Sequence, residues 1–249
     1  MEEALELGNY LPLSFKTRSE QDYIQFLWEA FESNYNANKF EFASLAFHLL
    51  YMSYVSFSIW QIRLAREADF KKALIGFQIE SEMKLLEADS PFKFYDKLKE
   101  SQIFRFLKLI GCENAQVSEF AKFVKRRNKI AHPSGTVFFN DKDSIDREIG
   151  LMMLEVTNIE EHMRPIILEL YACFLEESND PDDREYSEDT DQIREVLIHA
   201  HYLSRKDIEI CATFDWRAQE NLEMHTNAPG IESLHQTLCI TFAATSSAT

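Results

Sequence analysis

The chain has 249 residues, 45% apolar and 27% charged, which is long enough for a buried core and too apolar for wholesale disorder. Only six glycines and six prolines are present, so turns are scarce; this argues against an all-β sandwich or barrel and for long helices. A net charge of −16 excludes a whole-surface footprint for duplex DNA. The charge is unevenly spread, however. Glu176 to Asp191 hold nine acids and one Arg, Arg184, whereas Lys122 to Lys129 hold five basic residues and no acid. A locally basic element in an acidic protein remains compatible with a phosphate-bearing ligand.

Along the chain, Ser19 followed by Asp22 reads as a capping box that opens a helix with Ile24, Leu27, Trp28 and Phe31 inward. An Asn-rich turn at 34–38 precedes Ala43–Ile62, twenty residues without a charge and near the length that spans a bilayer. His48, Gln61 and four serines interrupt that stretch, and a helix apolar on every side equally suits the centre of a bundle. We therefore expect a buried helix continuing to about Arg66, and no membrane. Phe70–Ala88 reads as the next helix, with Ala73, Leu74, Phe77 and Met83 inward. Ser90-Pro91 signals another start. Phe104–Ile110 should end at Gly111.

Ala115–Ala131 forms a further helix that stops because His132 precedes Pro133, which disfavours the helical region. Ser134-Gly135 turns the chain. Asp143 or Ser144 opens a long helix through Met153, Ile159 and Leu170, bent at Pro165. The run after Glu176 reads as a solvated linker. Ile193–Ala200 is a short helix, Ser204 with Asp207 caps another, and Ala243–Thr249 is a frayed tail. The expected architecture is all-α: a helical domain over 1–175, an acidic linker over 176–191, and a small helical appendage with a polar tail over 192–249.

The four cysteines, Cys112, Cys173, Cys211 and Cys239, lie too far apart for zinc or redox spacing, and the acidic N-terminus lacks a signal-peptide pattern. A reducing cytoplasm is the simplest compartment. His199 and His201 alternate like strand metal ligands, yet on a helix they diverge, so no metal site is expected. His162, beside Glu160 and Glu161, is expected on an exposed face.

The informative stretch runs from Phe120 to Gly135. On a helical wheel, Phe120, Phe123, Val124, Ile130 and Ala131 share an inward arc, and Arg127 falls inside it. Lys122, Lys125, Arg126 and Lys129 sit on the solvent side. An Arg on an apolar arc is costly unless its donors meet an acid, carbonyls or a bound anion. Asn128 and His132, four apart, line the edge of the same arc. A fixed cation, an amide and an imidazole titrating near neutral pH suit binding a phosphodiester and moving protons on it.

Arg127-Asn128-Lys129-Ile130-Ala131-His132 resembles the Arg-polar-x3-His motif of the HEPN superfamily, the helical domains of bacterial toxins, abortive-infection systems and RNA-targeting CRISPR effectors. The Pro-Ser-Gly exit and the flanking long helices are also similar, over about 150 residues. The resemblance implies a metal-independent ribonuclease without cofactor, which leaves 2′,3′-cyclic phosphate and 5′-hydroxyl ends. It implies Arg127 as phosphorane stabiliser, His132 as general base or acid, and Asn128 as orienter or phosphate contact. Lys125, Arg126 and Lys129 would bind RNA. It further implies a homodimer that brings two motifs together, and an antitoxin or other defence-system partner.

Two alternatives stand beside it: a non-catalytic HEPN-like module binding a nucleotide or partner protein, and a scaffold in which Arg127 pairs with a buried carboxylate while His132 caps its helix. The same spacing recurs at Arg194 and His199, where Glu195 replaces the amide and no Pro ends the helix. That second match reads as chance.

Overall fold

The computed structural model describes residues 1–75, 79–132, 135–139, 141–180, 182, 184–219 and 227–243. Among them there is no strand, and the all-α expectation holds. In chain order the α-helices are α1 (Glu2–Glu6), α2 (Arg18–Asn36), α3 (Phe40–Ala65), α4 (Glu67–Ala73), α5 (Ile79–Leu86), α6 (Glu100–Ile103), α7 (Asn114–Ala131), α8 (Lys142–Glu177), α9 (Asp189–Gln192), α10 (Arg205–Cys211) and α11 (Ala228–Thr237). Tighter 3-10 turns cover Leu7–Tyr10, Pro91–Asp96, Phe104–Ile110 and Trp216–Ala218. Wider π-turns cover Ile193–His199 and Leu238–Ala243.

The chain forms two compact units, one of Met1–Gly8 with Thr17–Met163 and one of Asn9–Lys16 with Arg164–Thr249. The first unit reaches Met163 and the second resumes at Arg164, within α8, which runs unbroken through Pro165. Asn9–Lys16 joins the second unit through the Leu13 N–H, which donates to the Leu203 carbonyl at 3.0 Å.

In the first unit, α3 is the central element. Its mean hydropathy and 26-residue length would let it cross a membrane, but most of it, including every residue from Leu50 to Ile62, is buried against α2, α4, α6, α7 and the 3-10 turns, while Phe42, Leu49 and Leu64 are exposed. Such a helix needs no amphipathic stripe, which is why its apolar residues show no period. Phe31 of α2 meets Phe47 of α3 at 5.3 Å between ring centres, and Tyr35 meets Phe40 at 6.1 Å. Asn38 turns the chain between α2 and α3 at φ +57°.

The cap of α2 is Thr17, not Ser19. Thr17 takes extended angles and accepts from the Glu20 N–H at 3.2 Å, while the Glu20 carboxylate accepts from the Thr17 N–H at 3.2 Å. Thr17/Glu20 and Ser19/Asp22 carry the same spacing, and the backbone uses the earlier pair. Asp22 instead lies 3.7 Å from the Arg18 guanidinium. The expected helix 70–88 is two helices, α4 and α5; Phe77 lies outside the described residues, and Met83 is 55% exposed, not inward. Leu74 is buried as expected, and Phe70, also buried, stacks on Phe106 at 5.0 Å. Gly111 closes the Phe104–Ile110 turn at φ +88°, a conformation that favours glycine.

In the second unit, Ser204 and Asp207 form the expected reciprocal cap of α10, at 2.7 and 3.1 Å. The acidic run 176–191 is organised around its one Arg. Arg184 donates to the Ser178 carbonyl at 2.7 Å and pairs with Asp189 at 2.6 Å, and Gln192 donates to the buried Ser178 hydroxyl at 2.9 Å. The expected tail from Ala243 lies almost wholly outside the described residues.

Candidate active site

Helix α7 starts at Asn114 and ends where the sequence says it should. His132 takes extended angles (φ −96°, ψ 146°), and its N–H donates to the Asn128 carbonyl at 3.1 Å as the last helical bond. Pro133, Ser134 and their part of the exit lie outside the described residues. His132 is exposed, and Asn128 is half-buried.

The inner face of α7 descends along α3. Phe120 packs on Phe104 at 5.9 Å, and Phe123 meets Tyr51 edge-on at 5.9 Å. One turn further along α7 comes Arg127; one turn back along α3 comes His48, whose ring lies 6.3 Å from Tyr51. Both converge on Glu100, the first residue of α6. Arg127 Nη2 donates to Glu100 Oε1, and His48 Nε2 lies 3.1 Å from Oε2. The wheel thus places Arg127 inward correctly, and the structure supplies the acid that makes the position tenable.

Burial by itself would raise the Glu100 pKa, but hydrogen bonds from His48 and Arg127, with their charges, outweigh it and hold the carboxyl at about 2. At His48 burial dominates: it lowers the imidazole pKa against the pull of Glu100, so the ring is neutral. With Nε2 donating to the carboxylate, Nδ1 is the unprotonated nitrogen; it is buried and has no hydrogen-bond partner among the described residues. Arg127 is 26% exposed at its side chain, and its Nε is also buried without a partner. Nη1 makes no hydrogen bond among the described residues, so the outer part of the fork is uncommitted.

Sequence reasoning gave no site role to Glu100 or His48. His48 carried a signal, as the lone imidazole in an uncharged helix. Glu100 carried none, because it stands among exposed charged residues in sequence and is brought in by the fold of α6.

The basic face is less uniform than the wheel suggests. Lys125 and Lys129 are exposed. Arg126 turns to α8, where it pairs with the buried Glu148 at 2.6 Å, its guanidinium 6.0 Å from the Phe139 ring centre. Burial raises the Glu148 pKa and Arg126 opposes it. His162 is half-buried, not on an exposed face: Nδ1 lies 3.2 Å from the Ile110 carbonyl and Nε2 lies 3.0 Å from Gln116 Nε2. Those partners require the tautomer with the proton on Nδ1, donating to the carbonyl and accepting from the amide. The second motif is held differently. Arg194 pairs with Asp191 three residues earlier at 2.7 Å, and His199 Nδ1 lies 3.2 Å from the Ser14 hydroxyl. Among the described residues, no group of three or more His, Cys, Asp or Glu could hold a metal ion.

Comparison of the chain with known protein families, with characterised proteins and with solved structures finds no match in any of the three.

Proposed function

We propose that the chain is a HEPN-type endoribonuclease, acting without metal on RNA in bacterial toxin–antitoxin or phage defence. The observation that carries this reading is the end of α7. There a guanidinium anchored by Glu100 keeps Nη1 uncommitted, an amide follows it, and an exposed imidazole stands at the helix end. The setting in defence rests on the motif's resemblance alone.

In this mechanism the RNA 2′-hydroxyl attacks the adjacent phosphorus and gives its proton to a base. The P–O5′ bond breaks, and the departing oxygen takes a proton from an acid. Arg127 meets the charge that develops on the non-bridging oxygens. His132 serves as base or acid, while Asn128 orients it or contacts the phosphate. One imidazole cannot accept one proton and donate another at the same moment, so a second copy of the chain supplies the second His132. The apolar α3 helix does not argue for that dimer, since its own unit covers most of it. The proton count is what asks for it.

The Arg127–Glu100–His48 cluster favours a second reading, in which the pair is structural and the module binds a nucleotide or partner protein without cleaving. Incubating the pure protein with RNA in excess EDTA separates the two. Cleavage to cyclic-phosphate ends that His132→Ala abolishes supports the nuclease. Absent cleavage, strict dependence on a divalent ion, or 5′-phosphate products sinks it. Light scattering that shows a monomer, with activity independent of dilution, sinks the dimer.

A further inference from the structure

Glu100 has two oxygens, and the cluster shares them out. Oε1 accepts from Arg127 Nη2, and Oε2 lies 3.1 Å from His48 Nε2. A guanidinium and a carboxylate left to themselves commonly close as a fork, with two parallel N–H···O bonds. Here the contact is single, and Nη1 makes no hydrogen bond among the described residues. His48 stands in the way of the fork. Its side chain is fully buried, so it does not reach a substrate, and its Nε2 proton is committed to Oε2. As packing, the imidazole is a costly choice. Its Nδ1 is buried without a partner among the described residues, and so is Arg127 Nε. An apolar side chain of similar volume would fill the same place without leaving a polar atom unpaired. A residue that costs stability and still spends its one donor on Glu100 points to a role in setting the Arg127 contact.

We propose that His48 is a positioning residue: by holding Glu100 Oε2 it restricts Glu100 to one bond with Arg127 and keeps the outer edge of the guanidinium open for a phosphate. With Oε2 released, the carboxylate turns, takes Nη1 as well, and neutralises the cation within the chain. A phosphate must then break a closed ion pair; with His48 in place it completes a half-open one. The planar fork of Arg makes this possible, since one edge can face the acid while the other faces a ligand. The inference rests on the ribonuclease reading for its ligand, whereas the half-open pair does not depend on that reading.

The test is a double-mutant cycle on the full chain. His48→Leu frees Oε2 and should lower RNA cleavage at subsaturating substrate about 10–100-fold, the worth of one charge-assisted hydrogen bond, with melting temperature unchanged or raised. His48→Gln, whose amide reaches the same oxygen, should stay near wild type. In a Glu100→Gln background no charged fork can close, so adding His48→Leu should change cleavage by less than about twofold. A purely structural His48 instead gives a lower melting temperature and the same loss in both backgrounds, and that result overturns the proposal. His48→Asn, too short to reach Oε2, should match His48→Leu and replaces it if circular dichroism shows that variant unfolded. A second readout needs no RNA. Phenylglyoxal attacks guanidinium groups whose nitrogens are free, and mass spectrometry of the peptide carrying Arg127 gives the rate. That rate should fall about tenfold in His48→Leu and recover when Glu100→Gln is added. Equal rates in wild type and His48→Leu overturn the proposal. Intact RNA with the expected phenylglyoxal pattern upholds the half-open arginine and sinks the nuclease. His132-dependent cleavage that His48→Leu does not change upholds the nuclease and overturns the positioning role.

Discussion

Two stretches of this chain carry the same Arg-x4-His spacing, and the fold treats them oppositely. Arg127 reaches across to a carboxylate on another helix, and that carboxylate is bound in turn by a fully buried imidazole. Among the described residues Arg194 pairs with its own neighbour three residues back, both side chains about half exposed. His132 ends a helix on the surface, whereas His199 sits within a π-turn beside Ser14. A spacing is therefore not a site; what distinguishes the two is whether tertiary partners fix the Arg and leave the His open.

The largest expected difference is in catalysis. His132→Ala should reduce RNA cleavage by roughly 10²–10⁴-fold, the usual worth of a positioned acid or base. His199→Ala with Arg194→Ala should leave it near wild type. Gel-based cleavage rates for the two variants test this, and equal losses would erase the distinction. Lys at position 127 should not rescue activity, since it lacks the planar fork that grips two oxygens.

Stability should separate the two arginines next. Arg127→Met strands Glu100 beside a buried imidazole and should cost about 2–3 kcal/mol, below the 3–5 typical of a fully buried pair because both groups are partly exposed. Arg194→Met should change stability by no more than about 0.5 kcal/mol. Urea denaturation measures both. An unchanged midpoint for Arg127→Met would mean that the pair contributes nothing and that the Arg is held for its ligand alone.

Acid should then act on the first cluster in two steps. His48 has a folded pKa below its unfolded 6.5, so the unfolded state binds a proton first and stability falls as pH drops below about 6.5. Glu100 has a folded pKa of about 2 against an ordinary 4.5, so its contribution is present above 4.5 and lost as pH falls towards 2. Melting temperature against pH should show both losses in the wild type, and Glu100→Gln should flatten the lower one. Unchanged lower-pH behaviour in Glu100→Gln would place the acid sensitivity elsewhere. The smallest effect concerns charge around the motifs. Lys125→Glu or Lys129→Glu should weaken RNA binding and lower the salt dependence by about 0.7 in the log–log slope per lost phosphate contact. Lys206→Glu, near the second motif, should not.

The sequence by itself determined the helical class, the end of α7 at His132, the Gly111 and Ser204 caps, and the inward placing of Arg127. These depend on local rules: proline blocks the residue before it, glycine opens the left-handed region, and periodicity sets a face. Tertiary structure alone decided what Arg127 meets. Glu100 lies 27 residues before it and His48 52 residues before Glu100, and no local pattern predicts that α6 carries that acid to the seam between α3 and α7. It also decided between Thr17 and Ser19 as the cap of α2, where two equal spacings compete and the Thr17/Glu20 pair forms the cap. It broke the expected 70–88 helix into α4 and α5, and it turned Arg126 from the solvent face towards Glu148. For Arg127 and Arg126 the deciding partner comes from another element, and a long charged side chain goes where the opposite charge is buried.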